Sequence, residues 1–169
     1  VTLDDSLRQS RQPRAGDTIE GILVHLIGLF DIPNDRGKWF PKKDGEKLDI
    51  VVPRVEMLKS DPSSAIVISV KREVRERWRE VVGEAYILRK IHKVPDNIWF
   101  VTSTCDVSDY IVKSMIELNM RVYIPDECYE DFRELGAKPI SQMFDDLLRF
   151  VKELSLIHIS EPTRQAESR

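Results

Sequence analysis

The spacing of apolar residues changes several times along the chain, and each change predicts an element. Residues 16–30, "GDTIEGILVHLIGLF", read as a helix, with Asp17 as N-cap and Glu20 three residues on completing a capping box. The turn-rich "NDRGKWFPKKDGEK" that follows reads as a loop, and "KLDIVVP" as a short strand stopped by Pro53. After the loop "SDPSS", the run "AIVISVK" is β-branched with no polar alternation, the pattern of a buried central strand. Residues 74–92 return to helical spacing: at about 100° per residue, Trp78, Val81, Val82, Ala85 and Leu88 share one face. "NIWFVTST" predicts a strand, "VSDYIVKSMIEL" a helix, "MRVYIP" a strand, "YEDFREL" a short helix and "ISQMFDDLLRFVKEL" a last one. The order α-β-β-α-β-α-β-α-α predicts an α/β fold.

A chain of 169 residues is long enough for one α/β domain with a real core. No apolar run approaches the roughly 18 residues a membrane span needs. The two cysteines, Cys105 and Cys128, are too few for a disulfide framework, which suits a reducing, prokaryotic cytoplasm. From residue 156 the amphipathic pattern fails. "LIHISEPTRQAESR" resembles translated adapter or vector sequence, so residues 1–155 are read as the domain and 156–169 as a foreign or disordered tail. The chain opens on Val1 rather than Met, so a fragment or a processed chain is expected.

A net charge of −3 argues mildly against a generic nucleic-acid coat, but the charge is uneven. Residues 71–93 carry eight Lys/Arg against four Glu, whereas 120–155 carry five against eight Asp/Glu. The basic stretch starts where the central strand ends. Asp49 lies in one strand, Lys71 ends the next and Glu84 is on the following helix, as Asp-x21-Lys and Lys-x12-Glu. Neighbouring strands bring Asp49 and Lys71 close, and the helix folding back adds Glu84. Two carboxylates and a lysine at one sheet edge can hold Mg²⁺ and position a water. Glu80 and Glu84 are like charges at i, i+4, a small cost unless a cation offsets it.

With these residues in view, "LDIVVP…VISVKREVRERWREVVGE" resembles the nuclease core of PD-(D/E)XK type II restriction endonucleases, within them the SsoII/PspGI/EcoRII group with CCNGG or CCWGG targets. The resemblance covers about residues 14–104. Ser69 stands where an acid usually precedes the lysine by two; in this group the following helix supplies that carboxylate, and Glu84 has the matching spacing. Leu48 stands where the superfamily often has proline. The group reads GG/CC pairs with an Arg-Glu-Arg cluster after the lysine, matched by Arg75, Glu76 and Arg77. Arginine suits guanine O6/N7 and glutamate suits cytosine N4. The resemblance implies a mixed sheet flanked by helices and Mg²⁺-dependent cleavage of double-stranded DNA at a short GG/CC-containing site. It further implies a homodimer on a palindromic target, a natural N-terminal part missing here, and a supporting role for Glu20 in the metal shell.

Each residue also has a plainer reading. Asp49 can be a strand-end acid, Lys71 a snorkelling lysine, Glu20 only a capping residue, and 75–84 a salt-bridged helix face. Trp39 and Phe40 beside Lys42 and Lys43 suit a nucleic-acid clamp or a loop staple equally. His25, His92 and His158 show no ligand spacing. The rival from another class is a phosphoacceptor receiver domain modified at Asp49, with Asp4 and Asp5 as its acidic pair. The extra strand and helix of residues 65–93 count against it. An inactive DNA-binding module of the same fold is a third alternative.

Overall fold

The computed structural model describes residues 19–95 and 97–167, with side chains as far as Leu156. The capping residue Asp17 and the pair Asp4 and Asp5 lie outside the described residues. Six strands form one sheet in chain order: β1 (Asp35–Phe40), β2 (Glu46–Val52), β3 (Ile66–Lys71), β4 (Ile98–Thr102), β5 (Arg121–Ile124) and β6 (Lys138–Pro139). β1–β2 and β2–β3 pair antiparallel, and the three pairs from β3 to β6 are parallel. The sheet is therefore mixed, as expected, and changes direction at β3. β1 falls in the stretch expected to be a loop. It is an edge strand of alternating charge and glycine, so it lacks the apolar signal of a buried strand.

Helices cover both faces. On one, α1 (Ile19–Leu29) buries Leu23 and Ile27, and α6 (Ile140–Glu167) buries Ile140, Met143, Phe144 and Leu147 at helical spacing. They pack on Ile50, Ile66, Ile68, Trp99 and Tyr123, and Phe30 stacks on Phe144 at 5.3 Å. On the other face, α3 (Trp78–Lys90) buries Val81, Ala85 and Leu88 and packs Trp78 and Val82 at its margin, the face predicted from the spacing. α4 (Asp109–Glu117) lies beside it, capped by Ser108, whose hydroxyl accepts from the Ile111 amide at 3.3 Å. Two four-residue helices, α2 (Met57–Ser60) and α5 (Tyr129–Phe132), complete the set; α2 was not expected.

Cys105 and Cys128 are joined as a disulfide, with Cα atoms 6.0 Å apart, although the sequence suggested two reduced thiols. They follow the C-terminal ends of β4 and β5, adjacent parallel strands, and a separation of 23 residues does not reveal that neighbourhood. Among the described residues no helix is long and apolar enough to cross a membrane.

One buried acid organises the far end of the sheet. Asp146 of α6 is 7% exposed, and its Oδ2 accepts from the Tyr123 hydroxyl at 2.7 Å and from Lys138 Nζ at 3.3 Å; Arg121 Nη1 stands 3.7 Å away. Burial and the bond to Asp146 push the Tyr123 phenol well above its usual pKa. Asp146→Ala would take the carboxylate from a buried hydroxyl and from two part-exposed cations, so a loss of about 1–3 kcal/mol is expected in urea unfolding. A loss under about 1 kcal/mol would show that water replaces the carboxylate.

Candidate active site

The site forms where the sheet changes direction. β2 pairs with β3 through Ile50 and Ile68, Val51 and Val67, and Val52 and Ile66. One step further along this register, Asp49 faces Ser69. Along β2 the inside-outside alternation slips at this point: Leu48 and Val51 join one core cluster, Ile50 and Val52 the other. Across from Asp49, between the pairs Arg36–Ile50 and Lys38–Leu48, stands Gly37 at φ +61°, a conformation that favours glycine. Such slips bend a strand and re-aim a side chain. Asp49 Oδ2 accepts the Val70 amide at 2.8 Å, which ties the carboxylate to the β3 backbone between Ser69 and Lys71.

α3 supplies the second acid. Its buried face, Val81, Ala85 and Leu88, lies on the sheet, and Glu84 sits at the edge of that face. Ser69, 1% exposed, donates its hydroxyl to Glu84 Oε1 at 3.1 Å. A larger residue at 69 would fill the space through which Glu84 reaches the strand. Burial, and then the negative charge of Asp49, push the Glu84 carboxyl up to about 7; the Ser69 hydrogen bond and the Lys71 charge oppose this, and Glu46 adds to it. Asp49, Lys71 and Glu84 are thus brought together, two acids set against each other with one cation beside them.

Lys71 ends β3 opposite Thr102, with its side chain 12% exposed. Its Nζ lies 3.6 Å from Glu80 Oε1. Glu80 also accepts from Arg77, from Nε to Oε2 at 3.2 Å and from Nη2 to Oε1 at 3.3 Å. The bonds from Arg77 and the charge of Lys71 hold the Glu80 carboxyl below its usual range. Glu80 was noted in the sequence only as a like-charge neighbour of Glu84.

Arg75, Glu76 and Arg77 do not lie in the first turn of the helix, as the sequence suggested. They form the turn before it: the Arg77 and Trp78 amides donate to the Val74 carbonyl at 3.1 and 2.9 Å, and α3 begins at Trp78. Val74, 1% exposed, anchors that turn in the core and leaves the charged residues on the surface. Arg75 pairs with Asp106 at 2.7 Å, and both line an open pocket of about 330 Å³ with Arg72, Glu73, Glu76 and Thr104. This turn follows Lys71 by four residues, so the mixed-sign cluster and the acid pair share one end of the sheet.

Glu20 lies apart from this set in its contacts. Its Oε1 accepts from Arg36 Nε of β1 at 3.0 Å. Phe40 and Trp39 divide: Phe40 is buried with its ring 5.2 Å from His92, and Trp39 is half exposed. The phosphoacceptor alternative needs Asp49 on a parallel, doubly wound sheet, and β2 is antiparallel to both its neighbours.

Comparison with known proteins gives the same frame. Type II restriction enzyme SsoII of Shigella sonnei is 40% identical over 82 residues, 45% of this chain and 27% of that protein, so the match spans about a quarter of the relative's length. The restriction endonuclease PspGI, solved in a complex with substrate DNA, superposes with a TM-score of 0.73 at 33% identity, over 89% of this chain and 67% of that one. Metal-depleted Ecl18kI with uncleaved, modified DNA superposes with a TM-score of 0.68 at 25% identity, over 89% of this chain and 50% of that one. The fold is that of restriction endonucleases. A family model described as "EcoRII C terminal" matches residues 1–147 of the 169, and the chain belongs to that family.

Proposed function

We propose that this chain carries the catalytic domain of a type II restriction endonuclease. It would hydrolyse phosphodiester bonds in double-stranded DNA at a short GG/CC-containing sequence, with Mg²⁺ as cofactor. The observation that carries this reading is the half-buried Glu84 set against Asp49, with Lys71 beside them and the Arg75–Glu76–Arg77 turn at the same end of the sheet. The relatives agree in kind: PspGI was solved on substrate DNA, and Ecl18kI in a metal-depleted state on uncleaved DNA.

The donor set fits a hard divalent cation. Among the described residues no three His, Cys, Asp or Glu side chains converge as a complete cage. Mg²⁺ is suited to less than that, one or two carboxylates completed by phosphate oxygens and waters. Asp49 and Glu84 would hold it, each with one oxygen already fixed by the protein, to the Val70 amide and the Ser69 hydroxyl. When bound, the ion polarises the scissile phosphate and lowers the pKa of a water. Lys71 would orient or deprotonate the attacking water and offset the charge that builds on phosphorus. Arg75 and Arg77 present guanidinium forks suited to guanine, and Glu76 an acceptor suited to cytosine N4. Glu20, with Oε1 held by Arg36, would support the metal shell through its other carboxylate oxygen. A palindromic target favours a two-fold dimer.

Digestion of plasmid DNA, with the ends sequenced, tests the reading. Cleavage at one short GG/CC-containing sequence is expected, abolished by EDTA. Asp49→Ala and Glu84→Ala should each remove cleavage, because the ion then has one protein carboxylate. Lys71→Ala should lower turnover by several orders of magnitude while specific binding in Ca²⁺ survives. Full activity in any of the three would remove that residue from the chemistry. Glu76→Ala should cost specific binding about 1–3 kcal/mol and leave non-specific binding level or tighter, since a carboxylate repels the backbone. Competition gel shifts with singly substituted duplexes measure this, and an intact cognate preference would contradict a reading role for Glu76.

A pH dependence follows from Glu84. Its carboxyl titrates near 7 in the fold and near 4.5 in an unfolded chain, so the native state binds the proton more tightly. Its contribution is fully present below the unfolded value and is lost as pH rises towards 7. Without metal, the wild type should lose roughly 2–3 kcal/mol from this group between pH 5 and pH 8. Glu84→Gln should remove that loss, standing more stable than wild type at pH 8 and equal to it near pH 5. Urea melts in EDTA that run parallel at both pH values would show that neither burial nor Asp49 holds the Glu84 carboxyl up.

A further inference from the structure

Glu80 belongs neither to the acid pair nor to the mixed-sign turn, yet it touches a member of each group. It lies one helical turn before Glu84, and the two acids divide their work. Glu84 turns to Ser69 and Asp49, and Glu80 to Lys71 and Arg77. An i, i+3 pair between Arg77 and Glu80, both about half exposed, is by itself an ordinary surface contact of little energetic weight. The third partner distinguishes it. Lys71 is nearly buried at the end of a central strand, and its ammonium shares Glu80 Oε1 with Arg77 Nη2.

The geometry of the guanidinium adds a second point. Arg77 grips Glu80 side-on, through Nε and Nη2. That leaves the end-on edge, the remaining N–H groups of Nη1 and Nη2, for a bidentate contact elsewhere. Arg77 can therefore hold Glu80 and a guanine together. The carboxylate then sits where both cations fix it. A displacement of Arg77 moves Glu80, and with it the partner that helps to fix Lys71.

We propose that Glu80 is a positioning residue that couples base reading to catalysis: its carboxylate ties Arg77 and Lys71 together, so that a base pair that draws Arg77 out of this bridge also displaces Lys71. The inference rests on the nuclease reading above. It adds to that reading a physical link by which a wrong base pair slows the chemical step as well as weakening binding. A mispaired Arg77 pulls away from its seat, Glu80 follows, and the ammonium of Lys71 loses its placement.

The test is a double-mutant cycle between Glu80→Gln and Arg77→Ala, read in two ways. Single-turnover cleavage in Mg²⁺ is measured on a cognate duplex and on one substituted at the base pair Arg77 reads. Binding to both is measured in Ca²⁺. Glu80→Gln keeps the shape of the side chain and removes its charge. It should lower the ratio of cognate to substituted cleavage rates by about tenfold, while cognate affinity changes by less than about threefold. The double variant should discriminate no worse than Arg77→Ala alone, because the link is already cut. A merely structural Glu80 would change neither the ratio nor the additivity. An unchanged ratio in Glu80→Gln, or additive effects in the double variant, overturns the coupling while the nuclease reading stands. A wild type that cuts no DNA overturns the nuclease reading, and the coupling with it. Glu80 is half exposed, and melting curves of the variants close to that of the wild type confirm that the comparison is between folded proteins.

Discussion

Two carboxylates that repel each other are held at the point where the sheet changes from antiparallel to parallel, and the site is built around that repulsion. Asp49 is pinned by the Val70 amide and Glu84 by the Ser69 hydroxyl, so both anchors come from two successive residues of β3. Neither anchor carries a charge. The opposing cation, Lys71, sits next along the same strand and also leans on Glu80. The protein thus fixes the acids without neutralising them, and burial together with the charge of Asp49 raises the Glu84 carboxyl. A divalent cation relieves that repulsion, and a fixed, partly desolvated oxygen pair is a form such an ion can use.

The same strand explains why the acid pair and the mixed-sign turn share one end of the sheet. β3 is central, with five of its six residues buried, so its end is a rigid reference point. Lys71 closes it, Val74 anchors the next turn in the core, and α3 starts only at Trp78. The three-residue turn between anchor and helix carries Arg75, Glu76 and Arg77 on the surface. Had the helix begun at 74, two arginines would have faced the positive end of its dipole. In the turn each guanidinium instead meets a carboxylate, Arg75 that of Asp106 and Arg77 that of Glu80.

Much of this was legible in the sequence. Runs without polar alternation marked β3 and β4, and the helical spacing of Val81, Ala85 and Leu88 gave the face of α3 that packs on them. The spacing of Asp49, Lys71 and Glu84 sufficed to put the three side chains near one another, because adjacent strands and a returning helix leave few other places for them. What escaped was what depends on partners distant in the chain. β1 is polar, and only its pairing with β2 makes it a strand. Asp146 is one of two adjacent acids in a helix, and nothing local tells which one Tyr123 and Lys138 will bury. The partner of Glu20 lies across the β1 edge, and Cys105 meets Cys128 only because β4 and β5 are parallel neighbours. Glu80 was visible as a charge but not as a bridge, since the bridge requires the actual path of the turn.

The central claim is that Asp49 and Glu84 form one divalent-cation site whose mutual repulsion the ion relieves. Thermal melting of the DNA-free protein at pH 8, as Mn²⁺ is titrated against EDTA-treated wild type and Asp49→Asn, tests it most directly. Binding to the native state alone raises the melting temperature in proportion to the logarithm of ion concentration above the dissociation constant. The account predicts a wild-type melting temperature that climbs with the logarithm of Mn²⁺ concentration, and a climb largely lost in Asp49→Asn. Equal shifts in both proteins, or none in the wild type, would contradict it.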